Sequence, residues 1–244
     1  MSSRSEILFI SDLHLSQSKP EITQQFLTFI KTRAIDARVL YILGDLFEVW
    51  VGDDNETPEF DALFQTLKDY SAFTPIYYLH GNRDFLIGED LAQRTGLTLL
   101  PDPSVIQLDD HKVGLTHGDL LCSDDKEYME FRKLVRSEEW QQEFLQKPLQ
   151  ERQSIADELR AKSLQAMQDK SYDIMDANQQ TVLDFFNSLE IDTLIHGHTH
   201  RPAVHNIDDS RQRIVLGDWN PQPSYISWNN GQFSLIDHRV KLTG

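Results

Sequence analysis

The chain has 244 residues, 39% hydrophobic and 25% charged, enough apolar side chains for a packed core, which excludes wholesale disorder. Its 39 acidic against 23 basic residues leave a net charge of −16, which argues against a general binder of nucleic-acid phosphates. A single cysteine, Cys122, excludes an internal disulfide framework, and no stretch nears the ~20 apolar residues of a membrane-spanning helix.

The length points to one domain carrying an insertion. Only Ile7–Ile10 is apolar before Asp12, short of the ~7–15 residues of a secretory signal, so a cytoplasmic protein is expected. Ile7–Ser11 reads as a buried strand and Glu21–Arg33 as an amphipathic helix with Ile22, Phe26, Phe29 and Ile30 on one face. A strand at Val39–Leu43, a helix at Glu59–Tyr70 and a strand at Ile76–Leu79 follow, an alternation that predicts a parallel-type sheet in α/β layers. Val105–Leu108 and Val113–Thr116 read as a hairpin. From about Glu127 to Leu189 the strand signal gives way to helical spacing (Tyr128, Phe131, Leu134, Val135; then Trp140, Phe144, Leu145; then Ile155, Leu159), ending in a helix at Asp176–Leu189. Strands return at Thr193–Ile195, Ala203–Ile207, Arg213–Leu216, Tyr225–Trp228 and Phe233–Asp237.

The charge is uneven. Residues 126–170 hold nine bases and nine acids, so the rest of the chain carries all of the −16. That neutral, Arg/Lys-dense segment reads as a solvated helical face or as a face toward an anionic ligand or membrane surface.

Each polar cluster directly follows an apolar strand. Asp12-Leu13-His14, Gly44-Asp45, Gly81-Asn82-Arg83-Asp84, His117-Gly118-Asp119 and Gly197-His198-Thr199-His200 stand at five strand ends. Ligands of open α/β sheets bind beyond the carboxyl ends of the strands, so two Asp, one Asn and four His would meet at one rim. Carboxylate and amide oxygen mixed with imidazole nitrogen suits a pair of divalent ions, Mn, Fe or Zn rather than all-oxygen Mg or Ca. Asp45, with two oxygens, can serve both ions at the ~3.5–4 Å spacing of two-metal phosphoester hydrolysis.

These blocks resemble those of the calcineurin-like metallophosphoesterases (D-x-H, G-D, G-N-[HR]-[DE], H-G-D, G-H-x-H). With Ser11–Leu15, Tyr41–Glu48, Trp50-Val51-Gly52-Asp53-Asp54, His80–Leu86 and Ile195–His205 they are similar, more narrowly, to the UDP-2,3-diacylglucosamine hydrolases. The resemblance implies a four-layer α/β/β/α sandwich, here a discontinuous core of 1–122 and 190–244 with a helical cap at 123–189. It implies two Mn²⁺ per chain, and peripheral association with the cytoplasmic face of the inner membrane. It also implies hydrolysis of a UDP-sugar lipid by water attack at the α-phosphorus, giving UMP and 2,3-diacylglucosamine 1-phosphate in lipid A biosynthesis. Carried over by position, Asp12, His14, Asp45 and His200 would hold one ion and Asp45, Asn82, His117 and His198 the other. Arg83, Asn82 and His198 would be catalytic, and Asn82, Arg83, Asp125, Ser163, Lys170 and His198 would touch substrate. Met167 aligns with a further contact, where a thioether cannot replace a polar amide. No nucleic-acid partner and no obligate protein partner is expected.

Arg83 stands where many relatives have histidine. A guanidinium is always charged and cannot serve as a general acid, which favours a leaving group that departs as a stable anion. A phosphate does; an alkoxide does not. The cap's Phe131, Leu134, Trp140, Phe144, Leu145 and Leu149 either pack the cap on itself or line an acyl-chain crevice, and a subset is expected to face a groove where Ser163 and Lys170 meet phosphate or sugar. Cys122 reads as a small packing residue. The alternatives are another dimetal phosphodiesterase or pyrophosphatase of the superfamily, or a non-catalytic scaffold of the fold. The scaffold is disfavoured because every ligand position is filled.

Overall fold

The structure is a computed structural model describing residues 5–169 and 174–240, with backbone alone for 167–169. In chain order it runs β1 (Ile7–Ile10), α1 (Pro20–Lys31), β2 (Val39–Leu43), α2 (Asp61–Ser71), β3 (Ile76–Leu79), α3 (Glu89–Thr95), β4 (Leu97–Leu100), β5 (Ser104–Leu108) and β6 (His111–Leu115). Three helices follow, α4 (Lys126–Val135), α5 (Glu138–Leu145) and α6 (Leu149–Asp169). The chain then continues with α7 (Gln179–Leu189), β7 (Thr193–His196), β8 (Ala203–Asn206), β9 (Gln212–Val215), β10 (Tyr225–Asn229) and β11 (Gln232–Ile236).

Two mixed sheets form. The first has the order β11-β10-β1-β2-β3-β4 and the second β5-β6-β7-β9-β8. Strands β1 to β4 pair in parallel, as their helical crossovers require. Strand β10 closes on β1 antiparallel, in register Leu8 with Ser227, which makes the first sheet mixed rather than purely parallel.

The period of two along the strands builds the layers. Leu8, Ile10, Leu40, Ile42, Ile76 and Tyr78 turn to one side and pack on Phe26, Phe29, Phe64, Leu67 and Leu91 of α1–α3. Their alternates Ile7, Phe9, Tyr41, Leu43 and Leu79 turn to the other side and meet Val113, Leu115, Ile195 and Ile214 of the second sheet. Leu194 on that sheet's outer face packs on Val182 and Phe186 of α7. The result is the four-layer α/β/β/α sandwich, with α7 as its last layer although α7 falls inside the 123–189 helical block. Phe9 and Phe26 are wholly buried; truncating either to alanine costs about 3–5 kcal/mol.

Local chemistry sets the ends. Pro20 opens α1 at a position whose N–H is not needed. Asp125 and Ser137 cap α4 and α5 by accepting from Tyr128 N and Trp140 N. Helix α3 and strand β4 have no counterpart in the sequence reading. Both are short, and they are joined by Gly96 at φ +76°, whose N–H returns to Ala92 O.

Candidate metal centre and its cleft

Strands β1, β2, β3, β6 and β7 end at one rim, where the two sheets come together. Asp12 and His14 follow β1, Asp45 follows β2, Asn82 follows β3, His117 follows β6, and His198 and His200 follow β7. The loops are tied to one another by backbone: Asp12 N donates to Gly44 O at 3.1 Å, His14 N to Asp45 O at 3.0 Å and Gly197 N to His117 O at 2.9 Å.

Asp12, His14 and His200 form one triad and Asp12, Asp45 and His117 another, each with donor atoms within 4.8 Å of one another. Asp45 reaches both halves. Its Oδ2 lies 3.9 Å from His14 Nε2 and its Oδ1 3.7 Å from His117 Nε2. Asn82 Oδ1 completes the second half, 2.9 Å from His117 Nε2 and 2.8 Å from His198 Nδ1. All seven ligand candidates read from the sequence therefore come together.

The backbone is strained to achieve this. Asp12, His14, Asp45, His198 and His200 all sit in the left-handed region at φ between +52° and +65°. Such positions cost of order 1–3 kcal/mol each for non-glycine residues and persist only where the surroundings hold them. Asp84 is one such hold. Its fully buried carboxylate accepts from Gly81 N, Asp45 N and Phe47 N at 3.0, 3.2 and 3.1 Å. Gly44, at φ +88°, lets the second and third loops touch, since a Cβ there would sit 2.5 Å from Gly81 Cα.

Electrostatics favours cations here. Asp12 and Asp45 are buried, and burial pushes the Asp45 carboxyl up. Burial opposes ionisation of Asp12 as well, but the imidazoles of His200, His117 and His14 outweigh it and hold that carboxyl well below the usual range. Burial would also strip His117 of its proton, yet Asp45, Asp12 and Asp119 raise its pKa to about 9. His198, buried and facing His117, falls to about 3. The converging carboxylate, amide and imidazole donors fit a pair of divalent ions.

A cleft of about 690 Å³ runs from this centre along α4, α5 and α6. Of the expected substrate contacts, Asn82, Arg83, Asp125, Ser163 and His198 line it. Lys170 lies outside the described residues, as does the side chain of Met167. Arg83 donates its backbone N–H to Asp45 Oδ1 at 2.8 Å, while its Nε is buried without a hydrogen-bond partner among the described residues. Asp125 uses Oδ1 as the α4 cap, 3.1 Å from Tyr128 N.

Of the six apolar cap residues, Phe131, Trp140 and Phe144 line the cleft. Leu134 and Leu145 are instead 56% and 42% exposed, and Leu149 packs against the first core cluster. Cys122 lines the cleft but is buried, and burial pushes its thiol up to about 12, so it remains a protonated packing residue.

Among the lining residues not assigned to the site from the sequence are Glu48, Tyr128 and Arg160. Glu48 lies 3.3 Å from His14 Nδ1 and pairs with Arg160. Its signal was present, three residues after Asp45 in the motif at the end of β2. Tyr128 donates its hydroxyl to the buried Asp119 at 2.7 Å and packs near the His198 ring. Its helical spacing identified it only as an apolar face residue. Arg160 reaches the centre from α6; in the sequence it is marked only as one of the nine bases of the segment 126–170.

The family model for calcineurin-like phosphoesterases matches residues 5–202. A UDP-2,3-diacylglucosamine hydrolase of Shewanella piezotolerans is 47% identical over 231 residues, 94% of this chain and 97% of that protein. One from Sodalis glossinidius is 49% identical over 222 residues, covering 90% and 92%, and one from Stenotrophomonas maltophilia is 47% identical over 240 residues, covering 93% and 96%. With the five strand-end blocks assembled in space as the motif requires, the chain belongs to the calcineurin-like phosphoesterase family, within its UDP-2,3-diacylglucosamine hydrolase branch.

Proposed function

We propose that this chain hydrolyses the pyrophosphate bond of UDP-2,3-diacylglucosamine, releasing UMP and 2,3-diacylglucosamine 1-phosphate in lipid A biosynthesis. The observation that carries the reading is one continuous cleft joining the rim of Asp45, Asn82 and His198 to Phe131, Trp140 and Phe144 of the cap. Its two ends match the two ends of a nucleotide-linked lipid, and relatives of this length and similarity bear that enzyme's name.

Asp12, His14, Asp45 and His200 would hold one ion and Asp45, Asn82, His117 and His198 the other. We take both ions as Mn²⁺, which accepts this oxygen and imidazole set. Two such ions supply Lewis-acid stabilisation of phosphoryl charge and a water acidic enough to attack near neutral pH. Arg83, which lines the cleft, binds the transferring phosphoryl group and stabilises charge spreading over its oxygens. Asn82 and His198 orient the same group from the opposite loops. Protonation of the leaving group is not needed, because 2,3-diacylglucosamine 1-phosphate departs as a phosphate anion. Asp125 and Ser163 meet the sugar and its phosphate, and Lys170 is assigned to the substrate from its sequence position alone.

Within the helical block 123–189, α4–α6 act as the cap covering the cleft, while α7 belongs to the core as its last layer. Exposed Leu134, Leu145 and Leu164 of α4–α6 support peripheral contact of the cap with the cytoplasmic face of the inner membrane. No helix among the described residues is long and apolar enough to cross one.

Hydrolysis in heavy-oxygen water tests the bond and the phosphorus attacked. The label is expected in UMP. Label in the sugar phosphate, or release of UDP, would contradict the reading.

A further inference from the structure

The motif Trp50-Val51-Gly52-Asp53-Asp54 holds no ligand of the metal centre, yet the structure gives it a dense set of contacts. Its Trp50 and Val51 line the cleft. On one side it is fixed to the core. Trp50 Nε1 donates to Asp53 Oδ1 at 2.9 Å, and the Asp53 carboxylate accepts from Gly88 N at 3.0 and 3.1 Å and from Leu91 N at 2.8 Å, at the start of α3. Trp50 N also donates to Arg83 O at 3.2 Å, joining the turn to the residue that meets the phosphoryl group.

On the other side the turn is gripped by the cap. Arg152 of α6 is 2% exposed, one of the few charged side chains fully buried in the protein. Its Nη1 donates to Val51 O at 2.6 Å and to Asp54 Oδ1 at 2.7 Å, its Nη2 to Asp54 Oδ2, and its Nε to Lys147 O at 3.0 Å. Gly52, at φ +129°, makes room for it, since a Cβ there would overlap the guanidinium. This is the planar, several-pronged recognition that arginine performs and lysine does not. Ala156, one turn further along α6, lines the cleft and packs against the core cluster that holds Trp50 and Val51.

We propose that Arg152 is a positioning residue: it locks the Trp50–Asp54 turn of the core to the cap, fixing the apolar wall against which the substrate's acyl chains are held. Arg152 itself touches neither substrate nor metal. Its effect therefore falls on recognition of the chains and leaves the phosphoryl chemistry intact. The proposal rests on the reading that the apolar end of the cleft takes acyl chains.

The test compares the metal-loaded wild type with Arg152→Gln, Arg152→Lys and Asp54→Asn, on long-chain and on acetylated forms of the same UDP-sugar. Amide exchange of residues 50–54 is followed in parallel. In Arg152→Gln the wild-type preference for the long-chain form is expected to shrink about tenfold or more, through a raised KM at nearly constant kcat, with faster exchange in the turn. Arg152→Lys should recover little of it. Asp54→Asn, which keeps the side-chain shape, should move the same readouts the same way by less. Unchanged preference in the variants, or an equal loss of kcat on both substrates, would overturn the proposal while leaving the functional reading in place. A wild type that fails on both substrates would sink the functional reading itself, and this proposal with it.

Discussion

His14 and His200 face each other through Nε2 atoms 3.2 Å apart, and the same His200 nitrogen lies 3.2 Å from Asp12 Oδ1. Two imidazole nitrogens and a carboxylate oxygen thus converge on one point, held there by backbone in the left-handed region at all three residues. A single proton can satisfy only one such contact; a divalent ion satisfies all three. We expect His200→Ala to retain the fold and lose one of the two ions, lowering the count by about one ion per chain. Metal analysis of dialysed protein checks this, and an unchanged count would remove His200 from the site.

Arg83 lines the cleft, and its backbone N–H donates to the Asp45 carboxylate. Removal of one preorganised donor to a transition state costs about 10²–10³ in kcat, so Arg83→Ala should lose that much with KM little altered. Steady-state kinetics on the diacylated substrate decides. An unchanged kcat with a raised KM would make Arg83 a ground-state contact only.

The proton balance of the centre gives a second handle on the metals. The carboxylates around His117 raise it to about 9 against the pull of burial, so near neutral pH the metal-free protein holds a proton on that ring, and a metal ligand must be deprotonated. Adding Mn²⁺ to metal-stripped protein in weak buffer at about pH 7.5 should release roughly one proton per chain from this site. Metal affinity should rise with pH and level off above about pH 9. A release independent of pH across that range would contradict the assignment of His117 as a ligand.

Asp84 gathers three backbone N–H groups from the β2 and β3 loops. Asp84→Ala leaves these buried donors without their acceptor. At about 1–3 kcal/mol for each unsatisfied group, the loss should be several kcal/mol, or roughly 6–12 °C in Tm for the first 3 kcal/mol in a chain of this size. Asp84→Asn keeps an acceptor oxygen and should lose less. Thermal denaturation of the two variants checks the order.

How much of this was legible in sequence depended on how locally each signal is written. The seven ligand candidates were legible because each sits within a few residues of an apolar strand end, so strand and chemistry are read together. The layers followed from alternation, Leu8 and Ile10 to one side and Ile7 and Phe9 to the other. Strand β4 escaped because Leu97–Leu100 is four residues long and pairs only through β3, a partnership that no periodicity records. In the cap, helical spacing could not tell Phe131 and Trp140, which line the cleft, from Leu134 and Leu145, which face solvent. That choice is made by how α4 and α5 lie on the core. Arg160 and Arg152 were legible only as two of the bases in the segment 126–170, because their partners Glu48 and Asp54 stand about a hundred residues away in the chain.

The most direct test of the account is UMP release from UDP-2,3-diacylglucosamine by metal-stripped protein, with and without added Mn²⁺. The account predicts negligible release without metal and restored turnover with Mn²⁺. Undiminished release from metal-free protein would contradict the metal centre, and no release from folded, Mn²⁺-loaded protein would contradict the substrate.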